Sequence, residues 1–183
     1  MVLPNNNPKA ARPPTVDDLI TVCRKLNEKG VKYILIGGMV MNHYGFTRAT
    51  QDIDLLVDPS DANTEKIKQA LSFLQDNAVK EVAAGDVEKY TVVRVADEIT
   101  IDLMKKACDV TYKDAGVKYY QTKGVTIPIA DIPTMIKTKQ GVRPKDKEDL
   151  KYLLILLSLS ETNKIEQTNK QTEKVKHSHH RHF

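Results

Sequence analysis

The chain has little of what marks whole classes of protein. Its 183 residues include only two cysteines, Cys23 and Cys108, too few for a disulfide framework. Cys23 falls on the apolar face of an expected helix and reads as a small buried thiol. No apolar run is longer than residues 152–157. That is far short of the roughly 20 residues that span a bilayer, so no membrane association is expected. The first 14 residues, MVLPNNNPKAARPP, lack the continuous apolar stretch of a signal peptide. A reducing, cytoplasmic setting is the expectation. Strong charge of either sign is missing too. The formal net charge is +4. Five Lys/Arg against three Asp/Glu in residues 158–183 leave 23 basic and 21 acidic side chains in residues 1–157. No dense basic stripe marks the body, so charge alone argues for no nucleic-acid footprint. No internal repeat is visible.

What is present suits a globular α/β domain. Hydrophobic residues make up 40% and charged residues 28% of the chain, an ordinary balance for a soluble fold, and the length allows one buried core. Residues 1–14, rich in Pro and Asn, are expected to be a disordered arm. Residues 15–157 are expected to form the domain, and the polar residues 158–183 a frayed helix or disordered tail. Thr15 is a natural N-cap, with Asp17 and Asp18 in the first turn. Val16, Leu19, Ile20 and Cys23 follow at helical spacing, and Gly30 ends that helix. A strand over 31–36, apolar on both faces apart from Lys32 and hence central, leads into a short helix over 38–44. A second strand covers 51–57, and Ser60 caps a helix whose buried stripe is Ile67, Ala70, Leu71 and Leu74. Residues 88–95 and 98–103 read as antiparallel strands joined tightly at Ala96 and Asp97. A short helix is expected near 110–115, with short strands at 117–121 and 125–127. Asp131 should cap a helix to about Gln140. A last helix over 145–157 should turn Leu150, Leu153, Leu154 and Leu157 to the core. The pattern predicts a mixed β-sheet flanked by helices.

The chemistry concentrates in residues 34–57, ILIGGMVMNHYGFTRATQDIDLLV. An apolar strand runs into Gly37 and Gly38, where a strand-to-helix turn lets the backbone approach a ligand closely. Asp52 and Asp54 follow at spacing i, i+2, which on a strand puts both carboxylates on one face. Their like charges cost free energy there unless a cation neutralises them. A later strand carries one more carboxylate, Asp102, within ITIDLM. Each signal is weak alone, since any tight turn uses glycine and any half-exposed strand alternates polar residues. In combination they point to a divalent metal.

The run GG-x13-DID followed by ITIDLM resembles the nucleotidyltransferase superfamily, the polymerase-beta-like group. Its signature is a GG or GS turn, a Dx[DE] strand and a third carboxylate on a neighbouring strand. GGMVMNHYGFTRATQDIDLLVDP, with Arg48 and Thr50 ahead of Asp52 and Asp54, is similar to minimal bacterial members of the abortive-infection and toxin–antitoxin type. Lys137, Thr138 and Lys139, then Arg143, Pro144, Lys145, Asp146, Asp149 and Leu150, resemble the K…R-x-K-D-x-x-D-L element that follows the catalytic core there. The likeness spans residues 15–157. Many relatives carry an acceptor-binding helical bundle after the core, whereas no second large domain is expected here after Leu157.

This resemblance implies a nucleotidyltransferase fold and transfer of a nucleoside monophosphate from a nucleoside triphosphate (NTP) to an acceptor hydroxyl, with pyrophosphate leaving. Asp52, Asp54 and Asp102 would be the catalytic carboxylates and would hold Mg²⁺ or Mn²⁺, Asp102 also helping to remove the acceptor's proton. Gly37 and Gly38 would cradle the β- and γ-phosphates. Arg48, Lys137, Lys139 and Arg143 are candidate triphosphate contacts. The competing readings are a surface ion pair for Arg48 and a solvated charge run for the others, with Asp146 and Asp149 capping and pairing with that run. Asp58, just before Pro59, reads as a turn residue and His43 as a packed histidine. His177, His179, His180 and His182 lack the spacing of a defined metal site. The acceptor stays open between an RNA end (tRNA foremost), a protein side chain and a small hydroxylated antibiotic. The rival reading is a non-catalytic, antitoxin-like member that binds a nucleotide or a partner. Three convergent carboxylates speak against it, because a pure binding module has no need of them.

Overall fold

The computed structural model describes residues 11–179 apart from residue 142, with side chains as far as residue 167. The first helix, α1 (Val16–Glu28), opens on a capping box. The Thr15 hydroxyl accepts from the Asp18 amide, and the Asp18 carboxylate accepts from the Thr15 amide. Strand β1 (Tyr33–Ile36) is buried along its whole length, as a central strand should be. It runs directly into α2 (Gly37–His43). After β2 (Asp52–Val57), Ser60 caps α3 (Asp61–Leu71) by accepting from the Asn63 amide. A 3-10 turn (Ala78–Glu81) and α4 (Asp86–Lys89) precede β3 (Val93–Ala96) and β4 (Thr100–Met104). The chain continues through β5 (Lys106–Ala107), β6 (Val110–Thr111), β7 (Val117–Thr122) and β8 (Val125–Ala130). It ends in α5 (Ile132–Thr138), capped by Asp131, and α6 (Pro144–His179).

Six strands form one mixed sheet in the order β3-β4-β2-β1-β8-β7, and β5 with β6 makes a small separate hairpin. The β2–β4 and β1–β8 pairs are parallel, the others antiparallel. Helix α1 packs on α3 and β8, α2 on β2, and α6 on α5. The α/β expectation therefore holds. On β2, Ile53, Leu55 and Val57 point into the core and are fully buried, which turns Asp52 and Asp54 to the other face.

Some stretches differ from the sequence expectation. The strand predicted over 88–95 begins only at Val93, because residues 83–90 close into a turn and α4. There the Asp86 carboxylate accepts from the Ala83 amide, and Gly85 takes a φ of +81°. The helix predicted near 110–115 is replaced by β6, which pairs back on β5 through a turn where Cys108 has a φ of +51°. This tight hairpin, pairing Lys106 with Thr111 and Ala107 with Val110, satisfies backbone groups that a short helix would have left to water. In α6, Leu153 is buried, Leu150 and Leu157 are half-buried, and Leu154 is exposed. The helix touches the body through a narrow row, so the expected four-leucine face is only partly covered. Residues 158–179 continue α6, the helical one of the two alternatives expected for this stretch.

Residues 1–10 of the expected arm, together with His180 and His182, lie outside the described residues, as do the side chains of His177 and His179. Arg12 is described, its amide donating to the Glu98 carbonyl at 2.9 Å. No described helix is long and apolar enough to cross a membrane.

Candidate active site

The parallel register of β2 and β4 puts Asp54 beside Asp102, while antiparallel β1 puts Ile36, the residue before the glycine turn, opposite Asp54. The end of β1 and the three carboxylates are thereby gathered at one place. One carboxylate oxygen each from Asp52, Asp54 and Asp102 lies within 4.8 Å of the others. The carboxylates open into a cleft of about 540 Å³, also lined by Gly37, Gly38, Arg94 and Lys139. Burial raises the Asp54 carboxyl to about 6, and the neighbouring charges of Asp52 and Asp102 push the same way. The Lys139 charge and the Gly38 amide, which donates to Asp54, oppose the shift. Such a group gains from a cation.

The turn is built to let Asp54 in. Gly37 has a φ of +74°, and a Cβ there would lie 1.9 Å from Asp54 Oδ2. A Cβ on Gly38 would lie 2.6 Å from the Thr50 hydroxyl. The Thr50 hydroxyl in turn donates to the Asp52 carbonyl at 3.1 Å. The two glycines thus seat β2 and the loop before it against the turn, and both line the cleft.

A second set of charges lies along the wall made by α5 and α6. Asp149 is fully buried, and its Oδ2 pairs with Lys139 at 2.9 Å and with Arg48 at 3.0 Å. Asp146, also buried, pairs with Arg143 at 2.7 Å and with Lys139 at 3.8 Å. Among the described residues, Asp149 Oδ1 and Arg48 Nε are buried without a hydrogen-bond partner. Arg48, Lys139 and Arg143 all line the cleft, and each is tied to a carboxylate of α6; Lys139 is buried with its partner, whereas Arg143 stays exposed.

The sequence from 15 to 150 matches the family model described as "Nucleotidyl transferase of unknown function (DUF2204)". The match covers most of the chain. The protein belongs to this nucleotidyltransferase family. No curated protein matches it. Among solved structures, it is similar to a Thermotoga maritima protein provisionally described as a nucleotidyltransferase. The two share 15% identity over 93% of this chain and 99% of the other, with a TM-score of 0.46.

In this member of the family, the structure gathers Gly37, Gly38, Arg48, Asp52, Asp54, Asp102, Lys139 and Arg143 around one cleft. Lys137 is not among them. It is exposed on α5, where its charge acts on Asp114 instead. Residues 137 and 139 are two apart on a helical end, and that spacing sends their side chains in different directions. His43 packs against the Tyr44 and Tyr120 rings, and Asp58 Oδ1 accepts from the Ser60 amide in a turn, as the sequence suggested for both. Sequence reasoning missed Arg94. Its only local signal is an arginine alternating with Val93 and Val95 on a strand next to the one carrying Asp102.

Proposed function

We propose that the protein transfers a nucleoside monophosphate from an NTP to an acceptor hydroxyl, releases pyrophosphate, and depends on a divalent cation. The observation that carries this reading is the convergence of Asp52, Asp54 and Asp102 within 4.8 Å in an open cleft, in a chain of this family. The donor set fits a hard cation, since every ligand is a carboxylate oxygen and adjacent strands space them. Asp52, Asp54 and Asp102 would hold Mg²⁺ or Mn²⁺. When bound, such an ion neutralises triphosphate charge at the attacked phosphorus.

The chain's own groups supply the rest. Gly37 and Gly38 offer the turn backbone to the phosphates, and Lys139 and Arg143 add positive charge along the cleft. Arg48 takes its place through Asp149 and shapes the same wall. As the acceptor oxygen bonds to the α-phosphorus, its proton passes to Asp102. The bond between the α-phosphorus and the bridging oxygen breaks, and pyrophosphate leaves with the electron pair. An RNA end, tRNA foremost, is the acceptor we place first, ahead of a protein side chain and a small hydroxylated compound.

Incubation with each α-³²P-labelled NTP and pools of tRNA, protein and hydroxylated small molecules tests the reading. Label should move to one acceptor class, and Asp54→Ala should abolish the transfer, because carboxylates acting as a unit lose function non-additively. Undiminished pyrophosphate release by Asp54→Ala overturns the mechanism.

A further inference from the structure

One charged group in the cleft has no part in the chemistry proposed above. Arg94 on β3 lies directly across from Asp102 on β4. Its Nε donates to Asp102 Oδ1 at 2.8 Å and its Nη2 to Asp102 Oδ2 at 2.6 Å, a bidentate fork. The same Nη2 reaches Asp52 Oδ2 at 3.4 Å. Arg94 therefore binds two of the three carboxylates from which a cation site would be made. Arg48, Lys139 and Arg143 are held by Asp146 and Asp149. Among the described cations lining the cleft, Arg94 is the one hydrogen-bonded to the triad.

Exposure differs sharply across this pair. The Asp102 side chain is 7% exposed and the Arg94 side chain 41%. Asp102 is thus poorly served by water and needs a charged partner, whereas the guanidinium has open cleft to move into. A divalent cation and a guanidinium cannot both use the same carboxylate lone pairs, and their like charges repel.

We infer that Arg94 is a displaceable counter-ion of the triad, which a divalent cation must evict, and that this eviction couples cation binding to NTP binding. A free cation has to break the bidentate pair and leaves the guanidinium without an anion. A cation that arrives with a triphosphate brings phosphate oxygens, the other anion that the planar fork of arginine fits. The cost of eviction is then met by a new pair. Arg94 in this role is a positioning residue, setting the order in which the site fills. The inference rests on reading the triad as a cation site, and the test separates the two.

The test is a Mn²⁺ titration of the full chain, followed by the electron paramagnetic resonance of free Mn²⁺, with and without an α,β-methylene NTP analogue. The proteins are wild type, Arg94→Ala, Arg94→Lys and Asp54→Asn. Wild type should bind Mn²⁺ weakly alone and more tightly with the analogue. Arg94→Ala should bind Mn²⁺ alone about tenfold tighter than wild type, the size expected when a charge-assisted pair no longer competes. It should also lose most of the gain from the analogue. Arg94→Lys, whose single ammonium cannot make the fork, should fall between them, and it decides the matter if Arg94→Ala fails to fold. Equal Mn²⁺ affinity in wild type and both Arg94 variants overturns the counter-ion role while leaving the cation site standing. Mn²⁺ binding unchanged in Asp54→Asn, or absent in every protein, overturns the cation site and the inference with it.

Discussion

Gly37 and Asp54 compete for one volume: a Cβ on residue 37 would stand 1.9 Å from Asp54 Oδ2. The glycine turn is therefore shaped by the carboxylate that β2 delivers to it, in addition to any phosphate it receives. This ties the two halves of the sequence motif together physically, because the first glycine is what allows the second aspartate of the DID run to sit in the cleft floor.

Gly37→Ala should accordingly do more than strain a backbone. Gly30 gives the comparison, since its φ is +61° but nothing lies within 4 Å of an added Cβ. Gly30→Ala should cost about 1 kcal/mol from conformation alone. Gly37→Ala should lose several kcal/mol, because it adds displacement of Asp54 to a backbone cost of about 1–3 kcal/mol. Thermal or urea melts of both variants check this, and equal losses refute the steric account.

Asp149 should prove structurally costly to remove. It is fully buried and pairs with both Arg48 and Lys139. Asp149→Ala leaves two cations facing a buried gap, and a loss of about 3–5 kcal/mol is expected. A double variant, Asp149→Ala with Lys139→Met, should recover part of it by removing the stranded charge. Urea midpoints across this cycle measure the coupling, and strict additivity would argue that the pair does not interact.

Stability should fall in acid partly through Asp18. The Arg12 guanidinium bonds it at 2.6 and 2.8 Å, and with the Thr15 hydrogen bonds it holds the carboxyl well below the usual carboxylate range. A carboxyl lowered on folding stabilises above its unfolded value of about 3.9, and that contribution disappears as pH falls through the folded value. Wild type should therefore be more stable than Asp18→Asn at neutral pH, with the gap narrowing on acidification below about pH 4. Melts of both proteins across that range decide it, and a gap that widens in acid reverses the assignment.

The two thiols should react very differently. Cys23 is fully buried and its thiol is pushed up to about 12 by burial, whereas Cys108 is exposed in a turn. Alkylation of the native protein near neutral pH should add one group, at Cys108, and alkylation in denaturant should add two. Intact mass followed by peptide mapping reads the outcome directly.

Much of this protein was legible in the residue order because the signals are local. Thr15, Ser60 and Asp131 announce helix starts by bonding amides three residues ahead, and they do so in the structure. The i, i+2 spacing of Asp52 and Asp54 placed both on one face of β2 whatever the strand's neighbours were. The glycine turn and the sheet-and-helix class follow from the same short-range periodicities.

Tertiary structure alone decided who meets whom across the chain. That Asp102 lies beside Asp54 depends on β4 pairing parallel with β2 in one register, and a slip of one residue would turn it to the opposite face. That Arg94 grips Asp102 depends on β3 closing the same edge. Arg48 and Lys139 read from sequence as free phosphate ligands or surface charges, yet both bond to Asp149, which for Arg48 is 101 residues away. Lys137 and Lys139 look alike in the sequence, and only the docking of α5 on α6 buries one and exposes the other. Caps and periodicity arise from bonds between near neighbours, so the sequence displays them. Ion pairs across a site arise from strand order and helix docking, which are settled by burial of the whole core.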